Sequence, residues 1–394
     1  MNFTRLSNYL DKSVDEYKIP GVDCAVYKEH ELVFRYFTGK SDIENNKPIN
    51  GDELYIIFSM TKMLTCTCAL QLLEQGKFVL SDPISEYIPE FSKMKIAASE
   101  QIDDKASAIT TGRDSGKYRK IDEFGYAKNQ ITFRDLFTMS AGFDYNLNAD
   151  CIKEAIASGK KSTVEIVKSL SQSILHFEPG TRFQYSLCHD ILGALVEIIS
   201  GKKFGDYMQE NIFEPLGMKN TFFGVPKDED RLAKMAKRYA FDENGNPKLL
   251  PLECVYNFTD EYQSGGAGLI SSTDDYALFL DAIANGGVGK SGNRILSPAA
   301  IELMRTNHLT GRALEDFYNL RMGYGYGLGV RTHLDRSQSG SMSSIGEFGW
   351  DGAAGAYSLV DSEKKMSLTY FQQIHASGEK WHDELKNVFY SCLD

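Results

Sequence analysis

The chain has 394 residues, of which 42% are hydrophobic and 25% charged, and 43 Lys plus Arg against 54 Asp plus Glu give a net charge of −11. This length and composition predict one large or two closely packed globular domains, and they exclude a fibrous, coiled-coil or disordered protein. The negative charge argues against nucleic acid or an anionic membrane surface as the main partner.

The cysteines and the first residues indicate the compartment. The seven cysteines are scattered without a C-x-x-C pair, so we expect neither a disulfide framework nor a zinc site, and a reducing compartment fits best. The start of the chain predicts an amphipathic helix rather than a signal peptide, because Asp and Lys interrupt its apolar positions. No window approaches the ~18 apolar residues of a membrane span. We therefore expect a soluble, cytoplasmic protein.

Predicted strands lie near both ends of the chain, and predicted helices fill the middle. Apolar alternation predicts strands over 22–27, 32–37, 354–360 and 366–371. Helical spacing predicts helices over 1–17, 63–73, 164–175, 191–199, 274–285 and 380–393. Two polar segments have little periodicity. The segment 97–130 is predicted to be a surface excursion, and 228–262 an irregular region.

This order of elements predicts an α+β fold. The simplest architecture is an antiparallel sheet built from both chain termini and flanked by the terminal helices, with a mainly helical domain inserted between its strands. The sheet domain is predicted to comprise 1–58 and 262–394, and the helical domain 59–261. The cleft between them is the expected active site.

Familiar cofactor and metal motifs are absent from the sequence. It contains no H-E-x-x-H, no P-loop, no G-x-G-x-x-G between a strand and a helix, and no G-x-S-x-G elbow. The seven histidines are dispersed, which favours ordinary polar roles over metal binding. We therefore expect neither a metal nor a cofactor.

The tetrapeptide Ser59-Met60-Thr61-Lys62 is the strongest candidate for chemistry. A serine in the first turn of a helix lies near free N–H groups, and a lysine three residues later shares its face. A desolvated lysine has a lowered pKa and is able to accept the serine proton. The same Ser-x-x-Lys spacing recurs in polar loops, helix ends and turns, at Ser92, Ser158, Ser200, Ser362 and Ser377. An N-cap serine beside a solvated lysine is the structural alternative.

Two further elements carry groups suited to the same chemistry. A Pro-Gly turn delivers Tyr185 just before the helix over 191–199, and a tyrosine beside an ammonium is able to relay a proton. The glycine-rich segment 346–355 contains Trp350, and glycines in a strand mark the close approach of a ligand or another backbone. A backbone N–H on such an edge suits an oxyanion hole. Taken singly, each element is also explained by core packing.

In this order and spacing, the three elements resemble the serine β-lactamase and penicillin-binding-protein superfamily, most closely class C β-lactamases and family VIII carboxylesterases. The resemblance covers nearly the whole chain, with supporting phrases at 131–142, 213–218 and 265–276. It implies a β-lactamase-like fold with Ser59 as the nucleophile, Lys62 as its activating partner and Tyr185 in the Y-x-N motif. The implied oxyanion hole is formed by the backbone N–H groups of Ser59 and Ala353. Whether Lys62 or Tyr185 is the general base stays open.

Departures from the family pattern concern the substrate. Leu187 replaces the Y-x-N asparagine, and Trp350-Asp351-Gly352 stands where β-lactamases have K-T-G. The family's lysine and hydroxyl help to hold a substrate carboxylate, whereas Trp350 lacks that charge and Asp351 would repel an anion. Trp350 resembles the W-x-G of the esterases and offers an apolar wall. All four residues are predicted to bind substrate, and ester hydrolysis is expected to exceed β-lactam hydrolysis.

The resemblance therefore implies a cofactor-free serine acyl hydrolase that acts through an acyl-enzyme on a small-molecule ester, amide or lactam. Its most direct form is a β-lactamase-fold carboxylesterase. An acyltransferase, a D-amino-acid peptidase or a weak β-lactamase on the same site are alternatives. An alternative of another class is a non-catalytic binding or sensor protein, which Leu187 favours.

Overall fold

Strands from the two ends of the chain pair with one another in the computed structural model, which describes residues 1–100, 121, 123–375 and 379–393. The strands are β1 (Gly21–Lys28), β2 (Glu31–Asp42), β3 (Lys47–Pro48), β4 (Tyr55–Ile56), β5 (Lys95–Ala97), β6 (Phe124–Tyr126), β7 (Ile174–Leu175), β8 (Phe222–Phe223), β9 (Arg238–Phe241), β10 (Pro247–Leu250), β11 (Leu269–Ser271), β12 (Tyr324–Tyr326), β13 (Arg331–His333), β14 (Phe348–Gly349), β15 (Tyr357–Asp361), β16 (Met366–Phe371) and β17 (Ile374–His375).

Helices occupy both ends and most of the middle of the chain. They are α1 (Thr4–Asp15), α2 (Thr61–Glu74), α3 (Phe133–Phe137), α4 (Asp150–Ala157), α5 (Thr163–Ser169), α6 (Cys188–Ser200), α7 (Phe204–Met208), α8 (Glu214–Leu216), α9 (Glu229–Lys234), α10 (Thr273–Ala284), α11 (Pro298–Arg305), α12 (Gly311–Leu320), α13 (Arg336–Ser339) and α14 (Glu379–Tyr390). Within the described ranges, none of them combines the length and the apolar character that crossing a bilayer requires.

An eight-stranded sheet has the order β12-β13-β14-β15-β16-β1-β2-β3, and its pairs are antiparallel. The first strand of the chain lies beside one of the last, with Val26 opposite Leu368 and Cys24 opposite Tyr370. This confirms the predicted α+β architecture with a sheet built from both termini. The division into domains at 58/59 and 261/262 stays a prediction.

Both faces of this sheet are covered by helices. The terminal helices α1 and α14 pack on one face through Leu10 and Leu385, against the inward-facing Val26 of β1. On the opposite face α10 lies across β1, β15 and β16, and the Tyr276 ring lies 5.9 Å from that of Phe371. The alternation of the strands thus supplies two separate cores.

Helix α2 is the central element of the helical part. It packs against α6, which also contacts α3 and α5, and every residue from Thr61 to Leu72 is buried. A helix that is buried all round has little amphipathic character, which explains why apolar residues and threonines occur on all of its sides. Because α2 begins just after Ser59, this rigid helix fixes the position of the candidate nucleophile.

Several predicted boundaries were wrong. The helix predicted over 164–175 ends at Ser169, because residues 174–175 form β7 and pair in parallel with β5. The strand predicted over 354–360 begins at Tyr357, because a turn closed by a hydrogen bond from Gly355 N–H to Gly352 O precedes it. The segment 228–262, predicted to be irregular, contains α9, β9 and β10. Of the 97–130 excursion, 101–120 and 122 lie outside the described residues.

Candidate active site

A backbone turn presents Ser59 at the start of α2. The chain leaves β4, and Phe58, Ser59 and Met60 form a single 3₁₀ turn before the α-helix begins. Phe58 has φ of +46°, in the left-handed region, where the backbone of a residue other than glycine is strained by roughly 1–3 kcal/mol. The strain is held by packing, because the Arg238 guanidinium lies 5.2 Å from the centroid of the buried Phe58 ring. Ser59 itself is half-buried.

Lys62 is fully buried and lies directly beside Ser59. Its Nζ is 3.2 Å from Ser59 Oγ and 3.1 Å from the Tyr145 hydroxyl, and it donates a 2.7 Å hydrogen bond to the carbonyl of Gly266. Burial lowers the pKa of Lys62 to about 7, although the Asp190 carboxylate acts in the opposite direction. A large fraction of the amine is therefore neutral near pH 7 and able to accept a proton.

Tyr185 lies over the same amine. Lys62 Nζ is 4.6 Å from the centroid of its ring, and Trp350 Nε1 donates a 3.2 Å hydrogen bond to its hydroxyl oxygen. Burial raises the pKa of the Tyr185 phenol, with hydrogen bonds from Ser59 and Trp350 opposing this effect. The phenol is therefore protonated at neutral pH. The structure thus brings Ser59, Lys62 and Tyr185 together.

Trp350 has a different environment from the one that the sequence predicted. Its side chain is fully buried and stacks on Tyr185, with ring centroids 5.7 Å apart and an interplanar angle of 28°. An indole with no exposed surface is not an open wall for a substrate. The indole N–H instead donates its hydrogen bond to the Tyr185 hydroxyl oxygen, and this bond orients the hydroxyl.

Asp351 is held in ion pairs with two arginines, and its contact with substrate stays a prediction. Successive side chains of an extended segment alternate between its two sides, so Asp351 faces opposite to Trp350. It forms an ion pair with the largely buried Arg321 and a second, at 3.0 Å, with the fully buried Arg331. Burial opposes its ionisation, but Arg321 and Arg331 lower the pKa of Asp351 below its usual range. The carboxylate anchors this segment and is neutralised there.

Gly352 and Ala353 lie close to the backbone that precedes Ser59. A Cβ added to Gly352 would lie 2.6 Å from the carbonyl oxygen of Ile57, so only glycine permits this approach. Within the described chain, the N–H of Ala353 makes no hydrogen bond to another backbone group. This N–H therefore stays a candidate donor for the oxyanion hole that the sequence predicted.

Leu187 contributes no polar group to the site. Its side chain is buried in the large core, and its backbone N–H donates a 3.2 Å hydrogen bond to the carbonyl of Asp144. The side-chain amide of the Y-x-N motif therefore has no substitute at this position. Only 3% of the Leu187 surface is exposed, and its contact with substrate stays a prediction.

Sequence reasoning missed three groups around Lys62, namely Tyr145, Asp190 and the carbonyl of Gly266. The Tyr145 ring stacks on Tyr185 with centroids 5.3 Å apart and an interplanar angle of 16°. Nothing in the local sequence distinguishes Tyr145 from the rest of the 21 tyrosines, although it lies three residues after the segment 131–142 that supported the family resemblance. In the ranges that the structure describes, no cluster of three or more His, Cys, Asp or Glu is arranged to hold a metal ion.

Replacing Tyr145 by Phe is expected to lower kcat/KM for a short ester by about tenfold, the equivalent of about 1.4 kcal/mol. The substitution removes one hydrogen-bond partner of Lys62 and keeps the ring that stacks on Tyr185. Tyr256→Phe is the matched control, because the Tyr256 ring lies 5.9 Å from that of Tyr145 and its hydroxyl makes no hydrogen bond with Lys62. Equal losses in the two variants would contradict a specific role for the Tyr145 hydroxyl.

Comparisons with known proteins give matches over nearly the whole chain. A family model described as Beta-lactamase matches residues 6–389. Esterase EstB of Burkholderia gladioli is 24% identical over 379 residues, which cover 92% of the chain and 88% of that protein. Monacolin J acid methylbutanoyltransferase of Aspergillus terreus (strain NIH 2624) is 27% identical over 371 residues, 91% of the chain and 83% of that protein.

A solved structure described as EstCE1, a hydrolase with promiscuous acyltransferase activity, superposes with a TM-score of 0.76 at 23% identity. The match covers 98% of the chain and 97% of that structure. Together with the family match, it confirms the resemblance and the fold class that the sequence predicted.

Proposed function

The chain belongs to the beta-lactamase family, and on that premise we propose that it is a serine acyl hydrolase that acts on small esters or amides through an acyl-enzyme. The observation that carries this proposal is the contact of 3.2 Å between Ser59 Oγ and the buried Nζ of Lys62. A neutral amine at that distance is able to take the proton of the hydroxyl as it attacks a carbonyl.

The proposed reaction has two steps. In the first, Ser59 Oγ bonds to the carbonyl carbon, its proton passes to Lys62, and the carbonyl electron pair becomes an oxyanion held by the N–H groups of Ser59 and Ala353. The tetrahedral intermediate then collapses, the bond to the leaving alcohol or amine breaks, and the leaving group takes the proton. In the second step, water attacks the acyl-enzyme in the same way and releases the acid.

The pKa directions support Lys62 rather than Tyr185 as the general base. The pKa of Lys62 is lowered to about 7, whereas burial raises that of Tyr185. A base whose pKa lies near the working pH is the more effective one. Tyr185 is therefore assigned the role of a neutral hydroxyl that relays the proton from the Lys62 ammonium to the leaving group.

The surroundings of Trp350 favour esters over β-lactams that carry a carboxylate. Trp350 stands where β-lactamases of this family have a lysine, and the nearby Arg321 and Arg331 are already paired with Asp351. Neither Trp350 nor these two paired arginines therefore offers a positive charge to an anionic substrate. Hydrolysis of p-nitrophenyl esters is expected to exceed that of a chromogenic cephalosporin.

Acyl transfer is the second candidate function, because a relative at 27% identity is named as a methylbutanoyltransferase. Both reactions share the acyl-enzyme and differ in whether water or another nucleophile removes the acyl group. Product analysis in the presence of a competing alcohol or amine distinguishes them. An ester or amide formed at the expense of free acid would favour transfer.

A serine-reactive fluorophosphonate tests for an active nucleophile independently of the natural substrate. We expect intact-mass spectrometry to show one added phosphonyl group, and peptide mapping to locate it on Ser59. The Ser59→Ala variant should remain unmodified. A wild-type protein that resists the reagent would instead favour a non-catalytic binding or sensor protein.

A further inference from the structure

Only one of the two carboxylate oxygens of the buried Asp190 accepts hydrogen bonds from other side chains. Asp190 lies in α6, and its Oδ1 accepts hydrogen bonds from the Tyr262 hydroxyl at 2.9 Å and from Ser264 Oγ at 2.7 Å. Among the described residues its Oδ2 has no hydrogen-bond partner of full geometry, although the Gly266 backbone N–H helps to stabilise the ionised carboxyl, and only 1% of the residue surface is exposed. An unpartnered carboxylate oxygen in the interior is unfavourable unless a nearby positive charge stabilises it.

The unpartnered oxygen and the Lys62 amine lie on either side of Gly266. A Cβ added to Gly266 would lie 2.5 Å from Asp190 Oδ2, 3.1 Å from the Tyr145 hydroxyl and 3.4 Å from Lys62 Nζ. The two charged atoms are therefore within about 6 Å of each other, a range over which an opposite charge stabilises an ammonium. Because Gly266 has no side chain, only its backbone lies beside the two groups, and no side chain of this residue separates them.

The other titratable groups around Lys62 are neutral near pH 7. They come from α2, from α6 and from the loops that carry the two stacked tyrosines, and they are Cys66, Cys188, His189, Tyr145 and Tyr185. Burial raises the pKa of each of these thiols and phenols. Burial, reinforced by the Lys62 charge, lowers the pKa of His189 to about 3, so that imidazole is also uncharged. Burial raises the pKa of Asp190, but hydrogen bonds from Ser264, Tyr262 and the Gly266 backbone and the charge of Lys62 oppose this effect and favour the ionised carboxylate. Within the described chain, Asp190 is the acidic group left to carry a negative charge beside Lys62.

We propose that Asp190 is a positioning residue that stabilises the ammonium form of Lys62 across Gly266, and thereby sets the pH range in which Lys62 acts as a base. The inference rests on the proposed function for its catalytic meaning. Burial alone strongly favours the neutral amine, and an amine whose pKa is strongly lowered is a weak base. The carboxylate offsets part of this effect and keeps Lys62 basic enough to take the proton of Ser59.

Asp190→Asn tests this role with little change of shape, since the amide oxygen still accepts from Tyr262 and Ser264. Without the negative charge the ammonium is less stable, so we expect the acid limb of the kcat/KM profile to move by about one to two pH units toward lower pH. The maximal rate should fall, because the amine becomes a weaker base. An acid limb that stays in place or moves to higher pH would overturn the proposal.

Asp275→Asn is the matched control for a loss of buried charge. Asp275 lies in α10, is 4% exposed, and accepts hydrogen bonds from the Asn220 N–H at 2.6 Å and the Thr221 hydroxyl at 3.0 Å. It resembles Asp190 in burial and partners, and it is not among the groups that shift the pKa of Lys62. The acid limb of this variant should coincide with that of the wild type, and an equal shift in both variants would indicate a general effect of stability.

A titration without turnover separates this inference from the proposed function. The ¹³Cε resonance of Lys62, in lysine-labelled protein and assigned with Lys62→Met, reports the protonation of the amine directly. We expect its midpoint to move to lower pH in Asp190→Asn and to stay in place in Asp275→Asn. An unchanged midpoint in Asp190→Asn would overturn the inference even if Ser59 is an active nucleophile. A shifted midpoint would support it even if no ester is hydrolysed.

A second variant covers the case in which Asp190→Asn does not fold. Ser264→Ala removes one of the two hydrogen bonds that stabilise the ionised carboxylate and leaves Asp190 in place. The Lys62 midpoint should move in the same direction by a smaller amount. A midpoint identical to that of the wild type would count against the proposal.

Discussion

Replacing Ser59 by Ala is expected to lower kcat/KM for a short p-nitrophenyl ester by at least about a thousandfold, since the variant has no atom able to form the acyl-enzyme. The fold should be unaffected, because Ser59 is half-buried and its hydroxyl contacts the catalytic groups rather than the packed core. Initial rates at several ester concentrations, with thermal unfolding of both proteins, measure the two effects separately.

Ser362→Ala is the control for this substitution. Ser362 also precedes a lysine by three residues, but it lies in the turn between β15 and β16. Its loss should leave the rate within a factor of about two of the wild type. Undiminished turnover in Ser59→Ala would remove Ser59 from the nucleophile's role and with it the proposed mechanism.

The pH dependence of kcat/KM should show an acid limb centred near pH 7. The pKa of Lys62 is lowered to about 7 by burial, and only the neutral amine accepts a proton from Ser59. As the pH falls through 7 the amine becomes charged, so the rate should drop by about tenfold for each further pH unit. Toward higher pH the rate should reach a plateau, because Tyr185 stays protonated there.

Substitutions at Lys62 test the same assignment. Lys62→Met removes the base and keeps an apolar side chain of similar length, so we expect a loss of about 10²- to 10⁴-fold in kcat/KM and the disappearance of the acid limb. Lys386→Met is the matched control, because Lys386 is also buried, at 3% exposure, and donates to the hydroxyl of Tyr324. A Lys62→Met enzyme that kept its rate and its acid limb would show that another group is the base.

Part of the candidate site follows from local spacing. Residues three apart in a helical turn share one face, so Ser59 and Lys62 meet wherever this helix forms. The family resemblance predicted that Trp350-Asp351-Gly352 occupies the K-T-G position, but spacing along the chain did not predict the buried contact of Trp350 with Tyr185. Nor did it predict that two arginines pair with Asp351, because those partners are distant in the sequence.

Periodicity and spacing along the chain were enough to predict an antiparallel sheet with strands from both ends and an apolar helix just after the serine. The lowered pKa of Lys62 could not be predicted in this way. Its partners Tyr145 and Gly266 lie 83 and 204 positions away along the chain, and its burial requires the whole core to close around it. Desolvation and Coulomb interactions depend on distance through space, and packing alone decides which distant residues meet.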